Sequence, residues 1–198
     1  MSSHFNSSIS HLLAIPNLQG KIIDSTGSAL HYHWLPIQST VSEQVQTVQY
    51  HYNHHEFLLG SSFGALAAWK FALEHRPDSL KGIILIDVLP SLPAFPKHKR
   101  ILLRILQHMP TSLIQPLYQH FRHANFQEVQ QRLQSILRDF PEKIPNIPIL
   151  VLSKNAKFHQ EWQRLSRTHL NIEAAMYTSN IHQQISDWQH KLENGTIQ

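Results

Sequence analysis

An α/β fold, with a mostly parallel sheet flanked by helices and a helical cap insertion, is predicted by three features of the sequence. Two continuous aliphatic runs, Ile83-Ile84-Leu85-Ile86 and Ile149-Leu150-Val151-Leu152, lack the in-out alternation of a half-exposed strand and have the texture of strands buried on both faces of a parallel sheet. A strand-like run ending at Gly60, an Ala-rich helical stretch and the first of those aliphatic runs follow one another in the order of a βαβ unit. From Pro90 to Phe140 the texture changes, with Pro at 90, 93, 96, 110 and 116 punctuating helical stretches. The 198 residues and 41% hydrophobic content fit one domain spanning 1–198, with 90–140 as the helical cap insertion.

Element by element, Gly20–Asp24, then Ser25-Thr26-Gly27-Ser28, then Ala29–Leu35 reads as strand, turn, strand, a hairpin with Gly27 supplying the permissive turn backbone. Val41, Val45 and Val48 lie at helical spacing over Val41–Tyr50, with Ser42 as the capping residue. His55–Leu59 is a short apolar run stopped by Gly60, and Ala65–His75 is free of Gly and Pro, so strand, sharp turn and helix follow. Pro77 and Asp78 close that helix, and Ile83–Ile86 is the next strand. Within the insertion, helices are expected over Ile101–Gln107, Leu113–Phe121 and Phe126–Leu137. Ile149–Leu152 is a second buried strand, Gln160–Thr168 a helix, Ile172–Tyr177 a last strand, and Ile181–Leu192 a helix with Ile185, Trp188 and Leu192 on one face.

Composition narrows the function classes. The chain has no Cys, which removes disulfides, thiolate chemistry and Cys-rich zinc sites together. The net charge of +4 is mild, and Lys and Arg are scattered apart from Lys97, Lys99 and Arg100, so a nucleic-acid partner is not expected. No apolar run approaches the roughly 20 residues of a membrane span. Met1–Ser10 is polar, without the charged-then-apolar pattern of a secretory signal, so the expectation is cytoplasmic. The glycosylation-like triplet Asn194-Gly195-Thr196 lacks an export context. Sixteen His are spread along the chain. His31 and His33, on one face of a strand, with His51, His54 and His55 nearby, make a metal reading chemically conceivable, but no carboxylate or Cys completes a set, and neither a metal nor a cofactor is expected.

The residues that carry chemistry are Gly60-Ser61-Ser62-Phe63-Gly64. A nucleophile on a strained strand-to-helix turn needs small flanking residues, and this G-x-S-x-G stands between a predicted strand and a predicted helix, the context that gives the pattern meaning. A bland alternative is that the glycines only build a tight βα connection while Ser62 caps the helix through its hydroxyl. In the functional alternative Ser62 attacks an acyl carbon and the Phe63 backbone N–H donates to the resulting oxyanion.

Leu58-Leu59-Gly60-Ser61-Ser62-Phe63-Gly64-Ala65, with Ile83-Ile84-Leu85-Ile86-Asp87 downstream, resembles the α/β-hydrolase superfamily. That resemblance implies the chain order nucleophile, acid, His, with the His between the last strand and the C-terminal helix, where Tyr177-Thr178-Ser179-Asn180-Ile181-His182 stands. It therefore implies His182 as general base, taking the Ser62 proton and returning it to the leaving group. After Ile149–Leu152, where the superfamily carries its acid, this chain reads Ser153-Lys154-Asn155. Asn155 can orient an imidazole but cannot offset its charge. Some relatives place the acid one strand earlier, at Asp87 here, and Asp187 is a weaker candidate.

A second departure lies near the N-terminus. The His31-Tyr32-His33-Trp34 strand is not followed by the His-Gly pair that heads an oxyanion loop, so one oxyanion donor has no visible source and a shortened relative is expected. The resemblance implies hydrolysis of a carboxylic ester or thioester through an acyl-Ser62 intermediate, on a small-molecule acyl substrate seated under the cap. The alternative is a catalytically impaired descendant that retains fold and pocket for binding or assembly. A sheet edge left exposed by a short N-terminal portion would need covering, by the N-terminal segment or by a second copy of the chain.

Overall fold

The computed structural model describes residues 11–17, 30–95, 97, 101, 104–105, 126–177 and 180–195. Its centre is a six-stranded sheet of β1 (His11–Ile15), β2 (His31–Trp34), β3 (Phe57–Ser61), β4 (Gly82–Ile86), β5 (Ile149–Ser153) and β6 (Ile172–Met176), in the order β2-β1-β3-β4-β5-β6. Every neighbouring pair is parallel. Helices α1 (Val41–His51), α2 (Phe63–Glu74), α3 (Phe126–Arg138), α4 (Ala156–Ser166) and α5 (Ile181–Glu193) flank it.

The alternation of side chains along each strand divides the core in two. Leu13, Leu58, Ile83, Leu85, Ile149 and Val151 pack with Val45, Leu66, Trp69, Phe71, Ile136 and Trp162, under α1 to α4. Leu12, Phe57, Leu59, Ile84, Ile86, Leu150 and Leu152 pack with Ile181, Ile185 and Trp188 of α5 on the opposite face. Covering both faces is why β4 and β5 read as unbroken aliphatic runs. The buried indoles are satisfied as well as packed: Trp69 Nε1 donates to the Lys143 carbonyl and Trp162 Nε1 to the Val88 carbonyl, both at 2.7 Å, so each ring's apolar burial carries no unpaired donor.

Of the expected hairpin, only the second arm, β2, lies within the described residues. β2 pairs in parallel with β1, with His11 opposite His31 and Ala14 opposite Trp34, and it is the edge of the described sheet. The other expected arm, Gly20–Asp24, lies outside the described residues. β1 was not expected at all. Its five residues are too few to show a period, and they directly follow a polar stretch, yet Leu12, Leu13, Ala14 and Ile15 are fully buried because β1 fills the slot between β2 and β3. Segments 107–121 and the rest of the insertion up to residue 125 also lie outside the described residues. The end of the insertion, α3, is tied to the main body: Ser135 Oγ accepts from the Val41 N–H at 3.1 Å and Arg132 Nε donates to the Gln38 carbonyl at 2.8 Å.

The cap of α1 is Thr40 rather than Ser42. Thr40 Oγ1 accepts from the Glu43 N–H and Glu43 Oε2 accepts from the Thr40 N–H, both at 3.1 Å, a reciprocal capping box. Thr40→Ala is expected to cost about 1 kcal/mol of folding stability, read as a lower urea midpoint at unchanged slope. Helix α4 likewise begins at Ala156, four residues before the start its periodicity suggests, because Asn155 caps it.

Candidate functional site

β3 ends where the chain must turn sharply into α2, and Ser62 makes the turn with φ 52° and ψ −106°, a conformation that a residue with a Cβ adopts only at a cost of about 1–3 kcal/mol. Its N–H is held by the Ile86 carbonyl at 2.7 Å, which fixes the turn against the end of β4. Although Ser62 occupies the cap position of α2, its side chain makes no capping hydrogen bond, so the hydroxyl is not consumed by the helix. That disposes of the bland reading of the serine as a helix cap. Phe63 opens α2 and is fully buried, and the first N–H groups of that helix point to the side of the turn.

Both flanking glycines are required by contact distances. A Cβ on Gly60 would lie 2.3 Å from the Gly64 carbonyl oxygen, and one on Gly64 would lie 2.5 Å from the Pro16 and 2.6 Å from the Ile15 carbonyl oxygens. The second set has a further meaning. The end of β1 and Pro16 pass directly against Gly64 just after the Ser62 turn, so the strand that leads to the elbow is β1, not the His31–Trp34 strand to which that place was given above.

Asp87 follows β4 beside the turn, also at positive φ, 51°. Its Oδ2 accepts the Tyr177 O–H at 2.6 Å, and its Oδ1 accepts the Lys154 N–H at 2.9 Å and the Ser153 O–H at 3.4 Å. Burial first, and then the hydrogen bond to Asp87, raise the Tyr177 phenol well above its ordinary range, so it donates as a neutral group. The Lys154 ammonium stands 5.2 Å over the Tyr177 ring. Asn155 caps α4, its Oδ1 accepting from the Lys157 and Phe158 N–H groups at 2.9 and 3.4 Å. Asp187 is on exposed helix surface, where its carboxylate accepts from Gln183 Nε2 at 2.7 Å.

His182 is the second residue of α5. Its Nδ1 is 2.6 Å from the Tyr32 hydroxyl, with the two rings edge to face at 5.6 Å. No hydrogen bond joins it to Ser62, Asp87 or Asn155. The structure thus brings Asp87 to the Ser62 turn but leaves His182 at the β2 edge, and it engages Asn155 Oδ1 in a cap rather than on an imidazole. Capping by Asn155 was legible in principle: Asn followed by a Pro-free helical stretch is a strong start signal, obscured by the superfamily's habit of placing its acid there.

The scattered His do form one local group. His33 approaches His51 and His55 with ring centroids 6.1 and 5.9 Å apart. Among the described residues, no group of three or more His, Asp or Glu is arranged to hold a metal ion, and no helix is long and apolar enough to cross a membrane.

No protein-family profile matches the sequence, and no curated protein matches it either. Solved structures do match in shape. NosK from Streptomyces actuosus superimposes with a TM-score of 0.60 at 12% identity, over 94% of this chain and 98% of that one. The Vlm2 thioesterase domain, solved with a dodecadepsipeptide, gives 0.55 at 14% identity over 92% of each chain. The type II thioesterase BorB, from the borrelidin biosynthetic cluster, gives 0.53 at 12% identity over 91% and 93%. At these identities the likeness is one of fold.

Proposed function

The chain has the α/β-hydrolase fold, and from that premise we propose that it is a serine hydrolase of thioester or ester bonds acting through an acyl-Ser62 intermediate. The observation that carries this reading is the backbone of Ser62: a strained, positive-φ turn between β3 and α2 with its hydroxyl left out of the helix cap. Strain of that kind persists where surrounding structure enforces it, and it clusters at reactive sites. The thioesterase names of two of the matching folds favour a thioester over an oxygen ester.

In the reaction, Ser62 Oγ gives its proton to His182 Nε2 as it bonds to the acyl carbon. The oxyanion is stabilised by the Phe63 N–H, and the second donor is assigned to the Asn17 N–H in the chain that leaves β1, since Pro16 has no N–H to give. Collapse breaks the carbon–sulfur bond, and the imidazolium passes its proton to the departing thiolate. Water then attacks the acyl-enzyme by the same route in reverse, releasing the carboxylic acid and restoring Ser62. Asp87, beside the turn, is the carboxylate of this site, and Asn155 serves the fold.

A second reading, a catalytically impaired binding or assembly protein, is favoured by one specific observation, the absence of a Ser62–His182 hydrogen bond. Catalytic hydrogen bonds often tighten only once substrate is bound, so the two readings are separated by reactivity. A fluorophosphonate probe is expected to form one adduct, located by peptide mass on the segment carrying Ser62, and His182→Ala is expected to slow its formation at least about 10²-fold. An unlabelled wild type selects the binding protein, and an adduct on another residue overturns the choice of nucleophile.

A further inference from the structure

We infer that Tyr32 is an autoinhibitory latch, holding His182 away from Ser62 until substrate displaces it; this rests on the reading of His182 as the base. Three observations meet here. First, the Tyr32 hydroxyl is 2.6 Å from His182 Nδ1. Secondly, Ser62 makes no side-chain hydrogen bond in capping α2 and none to His182, so nothing ties the two halves of the reaction together. Thirdly, the sheet register sets their separation: Tyr32 pairs with Leu12, and Leu12 with Phe57, five positions before Ser62 on the next strand but one. β3 ends at Ser61, four positions past Phe57, about 13 Å along the strand and about 10 Å across two strand spacings, so Ser62 lies well away from the Tyr32 backbone.

The obvious alternative is that Tyr32 orients a working base as an acid would. With its Nδ1 at the Tyr32 hydroxyl, the imidazole makes no hydrogen bond to Ser62, which favours the latch. The two contacts then alternate, and the protein has two states that differ by which one His182 makes. The latch ring is itself fixed, stacked on Trp34 at 5.8 Å, whereas His182 is the second residue of α5, in the first turn, where the backbone has the fewest helical hydrogen bonds to lose. Movement therefore belongs to the histidine. Of the carboxylates nearby, Asp87 is engaged by Tyr177 and two other donors, so it does not compete with Tyr32 for the imidazole in the latched state.

Tyr32→Phe removes the hydroxyl and keeps the ring. Since one hydrogen bond shifts a two-state balance by about 1 kcal/mol, the variant is expected to react with the fluorophosphonate roughly five- to tenfold faster than wild type, with a urea midpoint no higher than wild type's. A rate equal to or below wild type overturns the latch. An adduct that forms equally fast in His182→Ala overturns instead the assignment of the base, so the two failures are distinguishable. A second measurement does not depend on the variant folding: in ¹⁵N-histidine-labelled wild type, the His182 Nδ1 resonance, assigned by its loss in His182→Ala, is expected to move when Ser62 is phosphonylated. A resonance that stays in place means that the Tyr32 contact survives reaction, and the latch is wrong.

Discussion

Replacing Ser62 by Ala is expected to abolish fluorophosphonate labelling and to lower thioester turnover by at least about 10³-fold, equivalent to some 4 kcal/mol of lost transition-state stabilisation. A bare loss of activity would not distinguish a nucleophile from a structural serine, but the backbone offers a second readout. Ala retains a Cβ and therefore the strain at φ 52°, so Ser62→Ala should leave stability within about 0.5 kcal/mol of wild type. Ser62→Gly is equally inactive but relieves that strain, worth about 1–3 kcal/mol, against the roughly 0.5–1 kcal/mol entropic cost of a glycine. The Gly variant is thus expected to be the more stable by about 1 kcal/mol, a rise of roughly 2–4 °C in Tm for a chain of this size. An inactive protein more stable than its parent is the signature of a residue held in place for reaction rather than for folding. If Ser62→Gly melts lower than Ser62→Ala, the turn is not strained and the case for a stored reactive geometry fails.

Much of this site was legible in the sequence because it depends on local chemistry. Gly60 and Gly64 announce close backbone approach, and an Ala-rich stretch after them announces a helix packed hard against a sheet. β4 and β5 were equally legible, since burial on both faces writes itself as unbroken Ile, Leu and Val. β1 was not, because its assignment depends on a long-range fact: the slot between β2 and β3 is vacant until His11–Ile15 fills it. Once that strand is missed, the loop at the elbow has no apparent source, and the parallel neighbour of β2 goes unseen. The partners of His182 and Asp87 were illegible for a related reason. Tyr32 lies 150 residues from His182 and Tyr177 lies 90 from Asp87, and no periodicity links a phenol on one strand to a side chain delivered from another.

A large effect on folding is expected at Gly64 and is a direct consequence of that missed strand. A methyl group there would sit 2.5 and 2.6 Å from two carbonyl oxygens and 2.8 Å from Ile15 Cγ2. The obstructing atoms are backbone, so no rotamer change makes room, and β1 cannot withdraw because it is hydrogen-bonded on both sides, to β2 and β3. Either the strand shifts and strains both ladders or α2 lifts from the core it buries with Leu66, Ala67 and Phe71. Overpacking of this kind costs about 1–3 kcal/mol where side chains can adjust and more where they cannot, so Gly64→Ala is expected to lose at least about 3 kcal/mol, roughly 6–12 °C in Tm. Gly195→Ala is the control. Gly195 has φ 65° but open space around its Cβ position, so that variant suffers only the backbone term of about 1 kcal/mol. Thermal melts of the two variants side by side separate contact from conformation. Comparable losses at both positions would mean that β1 does not press on the turn, and with it would go the source of the second oxyanion donor.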